Sequence, residues 1–307
     1  MKIFIVDEKN LNKRIDRYLT SELPQLGFPL LQKTFRKKDV KVNGIRVKQD
    51  YILETGDRIE LYIADDLLDG HGKKINEGFE TVYEDDNIII VSKEQGIPVH
   101  PDKGQASGTL IDNVRSYLKQ NGSPSTSSSF QPSLCHRLDR NTGGLVIIAK
   151  DQESLDILLE KMETKEIRKY YQCLVKGKLD PKSAQLKAYL FKDESKSRVY
   201  VNDHRTPGSL EIITKYKVLS YYPKQDISKL EVELVTGRTH QIRAHLAHIG
   251  HPVIGDGKYG SNAVNRPLGA RQQALWACRL VFDIKNAGKL SYLSGRQFET
   301  EPRFMKL

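Results

Sequence analysis

The amino-acid sequence predicts an α+β protein made of two unequal parts. A small N-terminal α/β domain is expected over residues 1–65 and a linker over residues 66–80. A larger domain, residues 81–307, should carry a mixed, mainly antiparallel sheet flanked by helices and loops. Three observations support this. Strand-length apolar runs recur at 87–92, 145–149, 171–175 and 230–235 without strict alternation with helical patterns, which disfavours a doubly wound sheet. Residues 66–80 contain three glycines and no sustained periodicity, the signature of a connecting segment. A length of 307 residues with 38% hydrophobic content suffices for two cores.

Along the N-terminal part, residues 1–7 read as a strand. Leu11, Ile15, Tyr18 and Leu19 then recur at helical spacing. A second short helix is expected around Leu30, Leu31 and Phe35, ending in Arg36, Lys37 and Lys38, with Lys33 on the same basic surface. Val40 to Val47 reads as a hairpin, because Asn43-Gly44 is a favoured two-residue turn. Gly56-Asp57 marks a further turn before an in-and-out alternating strand, Arg58 to Ile63.

In the larger part, Leu230, Val232 and Leu234 alternate with Glu231 and Glu233, as in a half-buried strand. Asp151 is a candidate N-cap for a helix whose apolar face carries Leu155, Leu158, Leu159 and Met162. Asn121 to Ser133 is rich in Ser and Pro and reads as a loop. A later helix is expected to be capped by Thr239, to bury Ile242, Leu246 and Ile249, and to stop at Gly250 and Pro252. Arg243 would lie in its first turn, off the buried stripe.

Composition narrows the function classes. No run approaches the roughly 18 apolar residues of a membrane span. The N-terminus lacks the pattern of a signal peptide, so a cytoplasmic protein is expected, with no membrane partner. Cys135, Cys173 and Cys278 are far apart with no C-x-x-C, and read as reduced, buried thiols. A formal net charge of +10 favours polyanionic partners such as RNA. In the N-terminal domain, Arg14, Lys33, Arg36, Lys37, Lys38 and Lys41 would form a basic face able to follow a phosphate backbone; a merely solvated face is the alternative.

The most informative segment is His136-Arg137-Leu138-Asp139-Arg140-Asn141-Thr142-Gly143-Gly144-Leu145, a charged cluster on a turn that leads into an apolar strand. Flanking guanidiniums of Arg137 and Arg140 would favour an ionised Asp139, and a fixed carboxylate can act as nucleophile or base. On spacing alone, a turn hydrogen bond and a surface ion pair are the better account of Asp139.

This segment resembles the signature of the RluA-type pseudouridine synthases, HRLD followed by two variable residues and T-S-G-L, with Gly143 where Ser is more common. Lys169 to Gly177 resembles the K-x-Y-x-x-x-V-x-G strand of that family. Gly237-Arg238-Thr239-His240-Gln241-Ile242-Arg243-Ala244-His245 resembles its G-R-T-H-Q-[IL]-R-x-H segment, followed by Gly250 to Asp256. Weaker echoes are Lys93 to Pro101, and Arg271 to Ala277, where Trp276 replaces a more usual His. The N-terminal pattern resembles the small S4-like (alpha-L) RNA-binding module.

The resemblance implies an RNA pseudouridine synthase that isomerises uridine without cofactor or metal, most naturally in large-subunit ribosomal RNA, and a monomer is expected. It implies Asp139 as catalytic carboxylate, Tyr171 against the uracil ring, and Arg243 paired with Asp139. Arg137 would contact RNA phosphate or prop the flipped site open. Whether Asp139 attacks the sugar, adds to the base or deprotonates the sugar stays open. Two rival readings are a non-catalytic RNA-binding or ribosome-assembly protein and a metal-dependent hydrolase. The hydrolase would be built on His240, His245, His248 and His251, whose spacing is not H-E-x-x-H.

Overall fold

The computed structural model describes residues 2–23, 34–37, 39–62, 78–101, 107–121 and 130–304. Leu30, Leu31, Lys33 and Lys38, the linker residues 66–77 and loop residues 122–129 lie outside the described residues. Two compact units are present, Met1–Asn76 and Glu77–Leu307. Among the described residues, no helix is long and apolar enough to cross a membrane.

The first unit holds an antiparallel sheet of β1 (Lys2–Ile5), β2 (Val40–Val42), β3 (Ile45–Arg46) and β4 (Arg58–Leu61), in the order β1-β4-β2-β3, and helix α1 (Ile15–Glu22). Ile15, Tyr18, Leu19, Val40, Val42, Leu53, Ile59 and Leu61 form its core. Leu11, expected on the helix, lies outside it and is exposed, because Asn12 takes a left-handed φ of 61° and turns the chain before the helix starts. Asn43 and Gly44 take φ of 52° and 82°, the sign the hairpin turn needs. The Asn43 side chain ties this turn to the next, donating to Asp57 Oδ1 at 2.8 Å and accepting from Arg58 N–H at 3.0 Å. The strict alternation expected after Asp57 fails at Glu60, which is buried and satisfied by Arg58 at 3.1 Å and by the Tyr62 hydroxyl at 3.1 Å. Residues 34–36 are helical, with Arg36 and Lys37 exposed.

The second unit is one sheet. Its strands are β5 (Phe79–Glu84), β6 (Ile88–Lys93), β7 (Ser133–Leu134), β8 (Gly143–Ala149), β9 (Ile167–Lys176), β10 (Ser183–Asp193), β11 (Arg198–Asn202), β12 (Leu210–Tyr222), β13 (Ile227–Leu234), β14 (Leu275–Phe282) and β15 (Gln297–Glu299). The order is β11-β10-β12-β13-β9-β14-β8-β6-β5, with β15 beside β14 and β7 beside β8. Among the described residues, the pair β14–β8 is parallel and the others are antiparallel. Phe79 and Glu80, expected in the linker, already belong to β5, because the Phe79 ring packs into the main core. Ser133, expected in a loop, pairs with Ala149.

Both faces of this sheet are covered near its centre, which is why β6 and β8 read as unbroken apolar runs. Ile89, Val91, Val146 and Ile148 face one layer, which includes helix α2 (Leu110–Gln120) and also holds Tyr171, Ile242 and Leu246. Ile88, Ile90, Leu145 and Ile147 face the other, where helix α3 (Gln152–Glu163) contributes Leu158. Asp151 caps α3 by accepting from Ser154 N–H at 2.9 Å. Leu159 departs from the expected apolar face and is exposed, because the inward stripe runs Ser154, Leu158, Lys161.

The parallel contact β14–β8 is the tightest point of the sheet. Trp276 stands opposite Gly143 and Ala277 opposite Gly144. A Cβ on Gly144, at φ 110°, would meet the Ala277 carbonyl oxygen at 2.1 Å, so only glycine permits this approach. A Cβ on Gly143 would meet the Trp276 ring at 2.2 Å. The two departures from the family pattern, Gly143 and Trp276, are therefore one packing arrangement: the indole fills the space a Ser side chain would need. Gly143→Ser should cost about 1–3 kcal/mol by overpacking. Adding Trp276→His should recover most of that in urea titrations of the single and double variants. Strictly additive effects would refute the steric coupling.

Candidate active site

Asp139 sits on the turn between β7 and β8, with its own carbonyl accepting from Thr142 N–H at 3.0 Å. Side chains from elsewhere clamp this turn. The Arg140 carbonyl accepts from Lys93 Nζ at 2.9 Å and from Gly96 N–H at 2.9 Å. Gln95 Nε2 donates to Asn141 O at 2.8 Å and to Gln273 O at 2.7 Å, and the Gln273 amide donates to the Thr142 hydroxyl. Lys93 is fully buried and also donates to Glu94 O at 2.9 Å and Ile97 O at 2.8 Å. Burial pushes its ammonium down to about 7, against the pull of Asp139. Three carbonyl acceptors need three N–H donors, so the folded turn is built around the charged form.

Arg243 comes from helix α4 (Gln241–His248), which packs Ile242 and Leu246 into the core beside Tyr171. Its guanidinium donates from Nη1 to Asp139 Oδ2 at 2.7 Å, and in bidentate fashion to Asp256, Nε to Oδ2 at 2.6 Å and Nη2 to Oδ1 at 3.0 Å. The expectation that Arg243 lies off the buried stripe is corrected: it is 8% exposed, because two carboxylates accept it inside the fold. Burial works against its charge, yet the Asp256 bonds and both carboxylates outweigh this and raise its pKa. Asp256, also buried, is held below the ordinary carboxylate range by Arg243 and by the N–H groups of Lys258 and Tyr259. The ion pair of Asp139 is thus with Arg243, 104 positions away along the chain.

The helix start also differs from expectation. Thr239 is exposed and does not cap α4; His240 is the N-cap residue, at φ 52° and ψ 17°, and its side chain makes no cap bond. The Gln241 side chain takes over locally, accepting from Arg238 N–H at 3.1 Å and from the Thr236 hydroxyl at 2.9 Å. The left-handed turn at residue 240 aims the imidazole at Asp139, whose Oδ2 lies 4.0 Å from His240 Nε2.

Tyr171 is placed by the sheet. It pairs with Val232 on β13 and Ala277 on β14, and Ala277 pairs in turn with Gly144, so it lies one row below the Asp139 turn. Burial, then the charge of Asp139, raises the pKa of its phenol well above the usual range. Tyr170 points to the opposite face, under Arg279 at 4.2 Å, as strand side chains alternate.

Asp139, Tyr171 and Arg243 line one solvent-open cleft of about 360 Å³, with Arg137, Arg238 and His240 also on its wall. A groove of about 920 Å³ continues from it past Arg137, Arg140 and Lys258. Arg137 is exposed at the junction. A fixed carboxylate, a buried aromatic ring and a cationic approach suit a flat, neutral base carried on a polyanionic backbone. Of the expected RNA contacts in the first unit, Arg14 is engaged by Asp16 at 2.7 Å, and Lys41 lies over the Tyr62 ring at 4.8 Å.

The histidines separate spatially. His240 Nδ1 meets the Tyr259 hydroxyl at 2.9 Å, His245 Nδ1 the Thr214 hydroxyl at 3.0 Å, His248 Nε2 meets Asp203 at 2.8 Å, and His251 Nδ1 the Lys176 carbonyl at 2.8 Å. Among the described residues, no group of three His, Cys, Asp or Glu side chains is placed to hold a metal ion. Cys135, Cys173 and Cys278 are buried and unpaired with one another. Sequence reasoning assigned no role to Asp256, Lys93, Gln273 or Tyr259. The first three lie in segments that carried the resemblance, but nothing local says what each side chain touches.

A family model described as RNA pseudouridylate synthase matches residues 87–248. An uncharacterized RNA pseudouridine synthase of Aquifex aeolicus is 34% identical over 258 residues, covering 83% of this chain and 79% of that protein. The ribosomal large subunit pseudouridine synthase C of Vibrio cholerae is 31% identical over 289 residues, covering 90% and 87%. The solved structure of human RNA pseudouridylate synthase domain containing 4 shares the fold, with a TM-score of 0.57 at 21% identity, over 73% of this chain and 88% of that one.

The anchoring of Arg243 is open to a direct test. Asp256→Ala strands a buried guanidinium and should lower the unfolding free energy by about 3–5 kcal/mol. Asp139→Ala should cost less than about 1 kcal/mol, since that carboxylate is part-exposed. Equal costs in urea titration would show that Asp256 is not the anchor.

Proposed function

The chain belongs to the RluA-type RNA pseudouridine synthases, isomerases that convert uridine to pseudouridine, and on that premise we propose that Asp139 is its catalytic carboxylate and large-subunit ribosomal RNA its substrate. The observation that carries the assignment is the convergence of Asp139, Tyr171 and Arg243 on one cleft from three separate elements. The name of the Vibrio relative supports the substrate, as does the cationic groove beside the cleft.

The chemistry breaks the N1–C1′ glycosidic bond, turns the uracil and forms a C5–C1′ bond, while the C5 proton is lost and N1 takes up a proton. Arg243 holds Asp139 Oδ2 at 2.7 Å, which leaves Oδ1 to face the nucleotide. A nucleotide reaches that oxygen only when it is extruded from its stack, at a cost of a few kcal/mol. Tyr171 offers the buried floor on which the uracil ring lies, and its phenol keeps its proton under the influence of burial and Asp139. Arg137 and Arg238 at the mouth neutralise flanking phosphates. The first unit, which resembles an S4-like module, serves as an RNA grip through Arg36, Lys37 and Lys41, and the protein acts as a cytoplasmic monomer.

Asp139→Asn should abolish pseudouridine formation while RNA affinity stays within a few-fold, read by pseudouridine mapping of rRNA from a deletion strain complemented with either gene. Turnover near wild type would refute the assignment, and an unchanged map in the deletion strain would favour a non-catalytic RNA-binding protein. Replacing Arg36, Lys37 and Lys41 together by Ala should flatten the dependence of log affinity on log salt by about one unit per lost phosphate contact. An unchanged slope would take the first unit out of RNA binding.

A further inference from the structure

Asp139 has a second neighbour besides Arg243. His240 carries a left-handed backbone at φ 52°, a conformation that a residue with a side chain avoids unless its surroundings impose it. The result is an imidazole in the cleft wall, with Nε2 4.0 Å from Asp139 Oδ2 and Nδ1 2.9 Å from the Tyr259 hydroxyl. Tyr259 is itself fixed. Its backbone N–H donates to Asp256 Oδ1 at 3.0 Å, and the guanidiniums of Arg198 and Arg243 lie 5.1 Å and 5.3 Å from its ring centre. Its hydroxyl oxygen accepts from Val199 N–H at 3.0 Å.

A backbone N–H only donates, so Val199 occupies one acceptor position of the Tyr259 oxygen, and the phenolic proton is available to His240 Nδ1. A neutral imidazole that accepts at Nδ1 carries its proton on Nε2, the nitrogen facing Asp139. Burial of the ring favours its neutral form. Burial, Arg243 and Lys258 oppose protonation more than Asp139 and Asp256 promote it, so the His240 pKa lies below its ordinary value.

We propose that His240, set in its Nε2–H tautomer by Tyr259, is a positioning residue for Asp139. Its Nε2–H is the second donor to Oδ2, closing on that oxygen when the extruded uridine fills the cleft. Oδ2 is then held by Arg243 and His240 together, and Oδ1 is presented to the nucleotide. The role rests on the reading of Asp139 as the catalytic carboxylate.

The test uses the full-length protein with 15N-labelled histidine and a long-range 1H–15N correlation, alongside single-turnover rates against pH on ribosomal RNA. The expected tautomer of wild-type His240 at pH 7.5 is Nε2–H, and Tyr259→Phe should populate the Nδ1–H form and slow the single-turnover rate at that pH. His240→Asn tolerates the left-handed backbone but is too short to reach Asp139. It should slow the single-turnover rate by about 10–100-fold, as a displaced catalytic group would, with RNA affinity unchanged. His240→Gln, whose amide reaches further, should recover most of that loss. A wild-type Nδ1–H tautomer, a wild-type rate in His240→Asn, or a His240→Gln no faster than His240→Asn would overturn the proposal. If the wild-type protein forms no pseudouridine, the functional reading fails, and the tautomer still decides whether the relay exists.

Discussion

The buried guanidinium of Arg243 is the interaction on which the site depends. A charged group this enclosed is stable only if its donors are matched, and here two carboxylates share it. Asp256 takes two of the donors from inside the fold and fixes the plane of the guanidinium. Asp139 takes a third from the edge of the cleft. The asymmetry has a chemical consequence: the inner carboxylate fixes the arginine, and the arginine fixes the outer carboxylate. Asp139 is thus oriented through one oxygen while it remains part-exposed, with side-chain accessibility of 25%.

The sheet makes this arrangement possible by bringing distant segments into one row. Val232, Tyr171, Ala277 and Gly144 are neighbours across β13, β9, β14 and β8. The close approach of β14 to β8 relies on two glycines, one of them faced by the Trp276 ring. Above the row, the Asp139 turn is not left to its own conformational preferences. Lys93, Gln95 and Gln273 bind successive polar groups of that turn, which gives a loop residue the fixity of a strand residue.

The N-terminal of α4 shows how local rules yield to the site. A Thr at position 239 would make an ordinary cap, and the sequence alone favours it. The chain instead passes through a left-handed residue at 240, and the Gln241 side chain accepts from Arg238 N–H just before the helix. The backbone thereby gives up a favoured start to the helix, and an imidazole faces the carboxylate. Departures of this kind from local preference are expected where function constrains the chain.

Much of the architecture was legible in the amino-acid order. Period-two and unbroken apolar runs marked the strands, Asn43-Gly44 marked the hairpin and Asp151 the cap of α3, because each depends on neighbours a few residues away. The identity of the candidate site residues was legible too, since Asp139, Tyr171 and Arg243 sit in recognisable segments. What the sequence left open were the partners. The pairing of Arg243 with Asp139 came from the resemblance and from no local pattern, and Asp256, Tyr259, Lys93 and Gln273 had no assigned role. Each of these depends on a contact across tens to hundreds of residues, fixed by strand register and helix docking, and no local pattern encodes a distance of that kind. Sequence by itself determined which chemical groups the protein carries and which short segments are regular. Only the tertiary structure decided which groups share a cleft, because proximity there results from packing two faces of one sheet rather than from the order of residues along the chain.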